Sequence, residues 1–146
     1  MSASINNRVR CVGLSALGLA LSLASHAVLA DVVAVVSAKS TVITLSRSQV
    51  TDIFLGRESR FPNGMQAVPI DQADGSVARD EFYAKLAGKT AAQLKAYWSK
   101  IIFTGRGQPP PVVTNSVELK KRLAANPAAI GYMEQDLVDD SVRVVL

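Results

Sequence analysis

From Val32 onward, apolar and polar positions fall into short blocks, each with a period that points to one kind of element. Val32, Val33, Val35 and Val36 form a β-branched apolar run without alternation, the pattern of a strand covered on both faces. Ser37, Lys39 and Ser40 end it in a polar tip. In TLSRSQVTDIFLGR, Val50, Ile53 and Phe54 stand at i, i+3 and i+4. Ser46 with Gln49 three residues on is a capping-box pattern, and Gly56 sits where a helix ends. FPNG, with Asn63 and Gly64, signals a turn. MQAVPID then reads as a second strand, and Pro69 assigns it to an edge or an early end of pairing. A helix is predicted from Ser76 through Phe82, Tyr83, Leu86 and Ala87 to Gly88.

Leu94, Tyr97, Trp98, Ile101 and Ile102 form one apolar stripe at helical spacing, and the Tyr97–Trp98 pair reads as core packing. TGRGQPPP cannot continue a helix and predicts a loop. NSVELKKRLAANP predicts a helix capped by Asn115 or Ser116 and stopped before Pro127. AAIGYM predicts a short strand, with Gly131 admitting close approach of backbone or ligand, EQDLVDD a turn or helical fragment, and SVRVVL a terminal strand. Strands alternating with helices predict an α/β layered domain.

The first thirty residues change this picture. Arg8 and Arg10, the apolar stretch VGLSALGLALSLA and the small residues of AVLA before Asp31 follow the order of a secretory signal peptide. Residues 1–30 are therefore expected to be removed after Ala30, leaving one domain over 31–146 in the periplasm. Removal takes Cys11 and His26, the chain's only Cys and His. What is left cannot form a disulfide of its own, a Ser-His-Asp triad, Cys-His nucleophilic catalysis or a zinc site with His or Cys ligands. No paired-carboxylate spacing stands out either, so no enzyme and no cofactor is expected. Fourteen cations then face twelve acids, a net charge of +2 that leaves no nucleic-acid footprint.

The candidate chemistry lies at DQADGSVARDEF, residues 71–82, where the apolar AVPI run feeds into a helix start. The first N–H groups of a helix lack intrahelical acceptors and carry about half a positive charge between them. Gly75 permits close backbone approach, Ser76 offers a hydroxyl, Val77 and Ala78 offer amides, and Arg79 offers a forked cation. The alternative needs no ligand: Ser76 or Asp74 caps the helix, and Arg79 pairs with Asp74 or Asp80. Two other stretches carry no function. AGKT resembles the end of a P-loop, but Tyr83 stands where that motif requires glycine, and GRGQ lacks the third glycine of a dinucleotide fingerprint.

LSRSQVTDIFLGR, VPIDQADGSVARDEF and AAIGYM, in that order, resemble the substrate-binding proteins of phosphate ABC transporters, above all the short secreted proteins of that kind. That family has a helix ending in I-F-x-G, a strand leading into D-G-S-G-T and a later G-x-I-G-Y. The resemblance runs from about residue 32 to residue 146. It implies a single compact periplasmic-binding-protein-like domain, one lobe at this length. It further implies non-covalent binding of phosphate or a similar oxyanion at Asp74, Gly75 and Ser76, in the service of an ABC transporter or a membrane sensor. Val77 and Ala78 replace the family's Gly and Thr, and Gln72 replaces its arginine. Arg79, with Lys39, is the inferred counter-charge, and Ser37, Lys39 and Ser40 stand where larger members carry a glycine–serine element. Asp71 and Gln72, at the strand end, are placed either to select a protonated anion or to orient a neighbour. The other reading is a shortened interaction module without a small-molecule ligand, docking through an apolar patch at Phe61, Pro62 or QPPP. Oligomeric state is left open.

Overall fold

A computed structural model describes residues 31–146; the expected signal segment 1–30, with Arg8, Arg10, Cys11 and His26, lies outside the described residues. Strand β1 (Val32–Ser37) runs through the interior of a four-stranded sheet, between β5 (Ala129–Glu134) and β6 (Val142–Val144) and antiparallel to both. Side chains alternate across a strand. Val32, Ala34 and Val36 therefore join one apolar cluster, and Val33 and Val35 the other. β5 does the same, with Ile130 and Tyr132 on the first face and Ala129 and Met133 on the second. Both faces are covered, which is why the valine run shows no alternation.

Helices α1 (Arg47–Phe54), α2 (Val77–Ala87) and α3 (Ala91–Phe103) supply Val50, Ile53, Phe54, Phe82, Tyr83, Leu94 and Trp98 to the first cluster. Helix α4 (Ser116–Ala125) covers the opposite face with Leu119 and Leu123. The layers are helix, sheet, helix, and the described residues form an α/β domain of one compact unit with both clusters packed on its sheet. The Ser46–Gln49 capping box closes as the spacing predicts, Asn115 rather than Ser116 caps α4, and a 3-10 turn occupies Gln135–Leu137.

Three expectations change. MQAVPID is not one strand: β2 (Val68–Pro69) is the parallel edge of the main sheet beside β5, whereas β3 (Asp71–Gln72) pairs in parallel with β4 (Val112–Val113) in a second, two-stranded sheet. β4 follows directly on the proline loop, and two residues carry no period by which to announce a strand. Ile102, placed on the α3 stripe by spacing, is 53% exposed, because it lines an open cleft beside the core while Ile101 takes the core-facing place. Phe61 is buried within the first cluster, so it offers no docking patch; the turn at 62–64 folds it inward through the Phe61 N–H donating to the Met65 carbonyl.

Gly131, opposite Val35 in the sheet, is where Leu119 comes closest. A Cβ there would lie 2.5 Å from Leu119 Cδ1 and 3.2 Å from its Cγ. The close approach is thus made by a core side chain of α4. Leu119 is itself fully buried and has nowhere to retreat. Gly131→Ala is expected to cost about 1–3 kcal/mol through overpacking, and the thermal midpoint of residues 31–146 should fall by about 5 °C or more. An unchanged midpoint would mean that this helix–sheet contact is looser than the packing implies.

Candidate functional site

The site is made where the chain changes sheets. Ile70 N–H gives the last bond to the main sheet, to Ile130 O at 2.8 Å. Asp71 N–H then donates to Pro111 O at 2.9 Å and Ala73 N–H to Val113 O at 3.1 Å. This change of partner turns the Asp71 side chain into the protein, where the residue is 1% exposed. Its carboxylate accepts four hydrogen bonds. Gln72 N–H (2.8 Å) and the Tyr132 hydroxyl donate to Oδ1, and the Tyr83 hydroxyl (3.1 Å) and Arg79 Nε (3.2 Å) donate to Oδ2. Arg79 also pairs with Asp74 through Nη1, and its guanidinium lies 5.5 Å from the centre of the Tyr83 ring.

A second chain of bonds runs beside the first. Gln72 is buried, and its Nε2 donates to Tyr132 O at 2.9 Å while its Oε1 accepts from the Ser76 hydroxyl at 2.8 Å. Ser76 Oγ in turn accepts the Arg79 N–H at 3.4 Å, capping α2. Gly75, at φ 83°, makes the turn in a backbone region open to glycine, and a Cβ there would meet nothing within 4 Å. Its role is therefore conformational. The amides of Gly75, Val77 and Ala78 find no acceptor among the described residues. The helix start thus keeps three donors, whereas the Ser76 hydroxyl, Gln72 and Arg79 are already engaged within the chain.

The electrostatics follow from this wiring. Burial raises the Tyr132 and Tyr83 hydroxyl pKa values, and the adjoining Asp71 charge with its hydrogen bond raises both further. For Arg79, burial works against the charged form, but the attraction and hydrogen bond of Asp71, then Asp74, outweigh it and hold its pKa above the usual value. Asp74, with 78% of its side chain exposed, is the partner that solvent or a ligand can most readily displace.

Beside Arg79 lies a cleft of about 350 Å³. Asp71, Gln72, Asp74 and Arg79 form one side, and Lys95, Trp98, Ser99 and Ile102 of α3 with Pro109, Pro110 and Val112 form the rest. The structure therefore brings together Gln72, Asp74, Gly75, Ser76, Val77 and Arg79. It does not bring Ser37 and Lys39 to them. β1 is antiparallel to β5, and β5 is parallel to β2. The chain leaving β2 passes Tyr132, which pairs with Ala34, on its way to Asp71 and Gln72, so the tip of β1 at Ser37–Lys39 points to the opposite end of the sheet. Ser37 there accepts a bond from Lys39 N–H, closing its own turn. Tyr83, Tyr132 and the α3 wall of the cleft carry no sequence expectation of function. Tyr83, one helical turn after Arg79, is the one that spacing relates to the site. Among the described residues no group of three or more His, Cys, Asp or Glu side chains is placed to hold a metal ion.

No protein-family model and no curated protein matches the chain. Solved structures do. A protein from Clostridium perfringens described as a phosphate ABC transporter substrate-binding protein, crystallised with bound phosphate, is 24% identical with a TM-score of 0.61, over 78% of this chain and 43% of its own. An ABC-type phosphate transport receptor from Vibrio cholerae is 18% identical with a TM-score of 0.62, over 78% and 44%. PstS from Borrelia burgdorferi is 12% identical with a TM-score of 0.58, over 78% and 46%. The likeness establishes a shared fold, and the chain spans less than half the length of each of these structures.

Removing the Asp71 carboxylate strands Arg79 and two tyrosine hydroxyls in the interior, so Asp71→Ala is expected to lower unfolding free energy by about 3–5 kcal/mol. Asp74→Ala, at the exposed arm of the same guanidinium, should cost less than about 1 kcal/mol. Urea unfolding of both variants checks the contrast. The raised tyrosine pKa values have their own signature. Neutral Tyr83 and Tyr132 contribute stability that is fully present below the unfolded tyrosine value near 10 and is lost as pH climbs from there toward the folded values. Absorbance titration should show these two tyrosines ionising only as the chain unfolds; their ionisation in the intact fold would contradict the burial of their hydroxyls beside Asp71.

Proposed function

We propose that residues 31–146 form a non-covalent binding module for phosphate or a similar small oxyanion, seated at the start of α2, and that residues 1–30 export it to the periplasm. The supporting observation is the set of unpaired amides of Gly75, Val77 and Ala78 at the N-terminus of an eleven-residue helix that carries Arg79 one turn in. The shared fold with structures described as phosphate-binding proteins adds to it. In this reading the amides hold the anion, Asp74 swings away from Arg79, and the guanidinium supplies charge and two parallel donors. The Ser76 hydroxyl takes part by turning from Gln72 to the ligand. Lys95, on the far wall of the cleft, is the nearer candidate for a second cation than Lys39, which the fold carries to the other end of the sheet. The reading is binding rather than catalysis, with a membrane transporter or sensor as the partner that receives the anion. No described helix is long and apolar enough to cross a membrane.

One observation favours the second reading, an interaction module without a small-molecule ligand. Ser76, Gln72 and Arg79 are each satisfied inside the chain, and Val77 and Ala78 offer no hydroxyl. The two readings separate in thermal unfolding of residues 31–146 titrated with phosphate and with sulfate at constant ionic strength. Ligand at a hundredfold excess over its dissociation constant adds about 2.7 kcal/mol, a rise of several degrees in a domain this size. A rise specific to phosphate, reduced in Ser76→Ala and Arg79→Gln, is the expected outcome. Equal rises with both anions, or none, would sink the oxyanion seat and leave the interaction module.

A further inference from the structure

Phe103, the last residue of α3, is 92% exposed, and Ile102 beside it is 53% exposed. Leu94 and Trp98 point into the core, so the helical period places Phe103 with Ala92, Ala96 and Ser99 on the opposite, open face. Lys100 precedes this apolar tip and Arg106 follows it in the next turn, both exposed and neither in an ion pair among the described residues. Along the chain the neighbouring positions are of one sign, and the nearest lining carboxylates, Asp71 and Asp74, stand across the cleft on the Ile102 side, both paired with Arg79. From Phe82 to Val117 the chain carries Lys85, Lys89, Lys95, Lys100 and Arg106 and no Asp or Glu, so all of its 12 acids lie outside this stretch. An apolar point framed by unneutralised cations is complementary to a surface that is anionic outside and apolar beneath.

We propose that the C-terminal end of α3, with the turn that follows it, docks on the headgroup region of an anionic lipid bilayer, Phe103 and Ile102 entering the acyl boundary while Lys100 and Arg106 stay among the phosphates. A side chain 92% exposed stands on a convexity. A protein partner must bring a socket shaped to it, whereas a fluid bilayer closes around it, and this favours lipid over an acidic protein. Ile102 also lines the cleft beside Arg79, but Phe103, Lys100 and Arg106 do not, so the inference rests on neither reading of the α2 start.

Vesicle co-sedimentation of residues 31–146, which carry both core clusters, is the test; residues 1–30 are left out because their apolar stretch would bind lipid by itself. Binding is expected to vesicles containing phosphatidylglycerol and to be weak on phosphatidylcholine alone. Lys100→Glu with Arg106→Glu should lower partitioning about thirtyfold or more, and Phe103→Ser about tenfold. Salt at about 0.5 M should remove most of it. All three positions are exposed, so unchanged thermal midpoints would separate lost docking from lost folding. No partitioning, equal partitioning on both lipids, or partitioning indifferent to these variants overturns the proposal. Binding to polyglutamate without binding to vesicles overturns it as well and assigns the cations to an acidic protein.

Discussion

A carboxylate taken out of water is tolerated only when nearly every lone pair finds a donor, because its desolvation alone costs several kcal/mol. Asp71 meets that condition through donors from three places in the fold: its own strand's next amide, Tyr132 on β5, and Arg79 and Tyr83 on α2. The rings of those two tyrosines lie in the aromatic part of the core. Phe82 stacks on Tyr132 with ring centres 3.9 Å apart, and Phe54 meets both edge-on. Each tyrosine thus has an apolar body in the cluster and a polar tip on the carboxylate. One charge thereby holds the second sheet to the first and sets the angle at which α2 leaves it.

The same wiring decides what the helix start has to offer. Arg79 is positioned by Asp71, so its cation is anchored where an anion would arrive, but one arm is occupied by Asp74. Ser76 and Gln72 are joined to each other and to Tyr132 O, which makes the turn rigid and leaves mainly backbone amides unpaired. An anion in the proposed seat would face water on one side, in a chain less than half the length of the solved structures that share its fold. In such a place a charge pair is worth only about 1 kcal/mol, so affinity in that reading would come chiefly from the unpaired amides.

Most of the element order was legible along the chain because it is local. The Ser46–Gln49 box, the glycine and proline stops, the valine run of β1 and the strand at AAIGYM each depend on a few neighbouring residues and formed as read. The turn and helix start at Asp74–Ser76 were legible for the same reason. Asp71 is different. Its donors Tyr83 and Tyr132 lie 12 and 61 residues away, and no period connects them to it. β4 is two residues long and is defined by its pairing with β3, in which Pro111 and Val113 carbonyls accept from the Asp71 and Ala73 amides.

The sequence by itself determined most of the helix and strand types, the start of α2 after the Asp74–Ser76 turn and the absence of His and Cys from residues 31–146, since these follow from composition and from spacings of a few residues. Only the tertiary structure decided that Arg79 turns to Asp71 and that Gln72 is spent on Tyr132 and Ser76. It also carried Ser37 and Lys39 to the far end of the sheet. Those outcomes rest on strand direction and on the demand of one buried charge for donors, and both are properties of segments distant in the chain that acquire meaning only when the sheet brings them together.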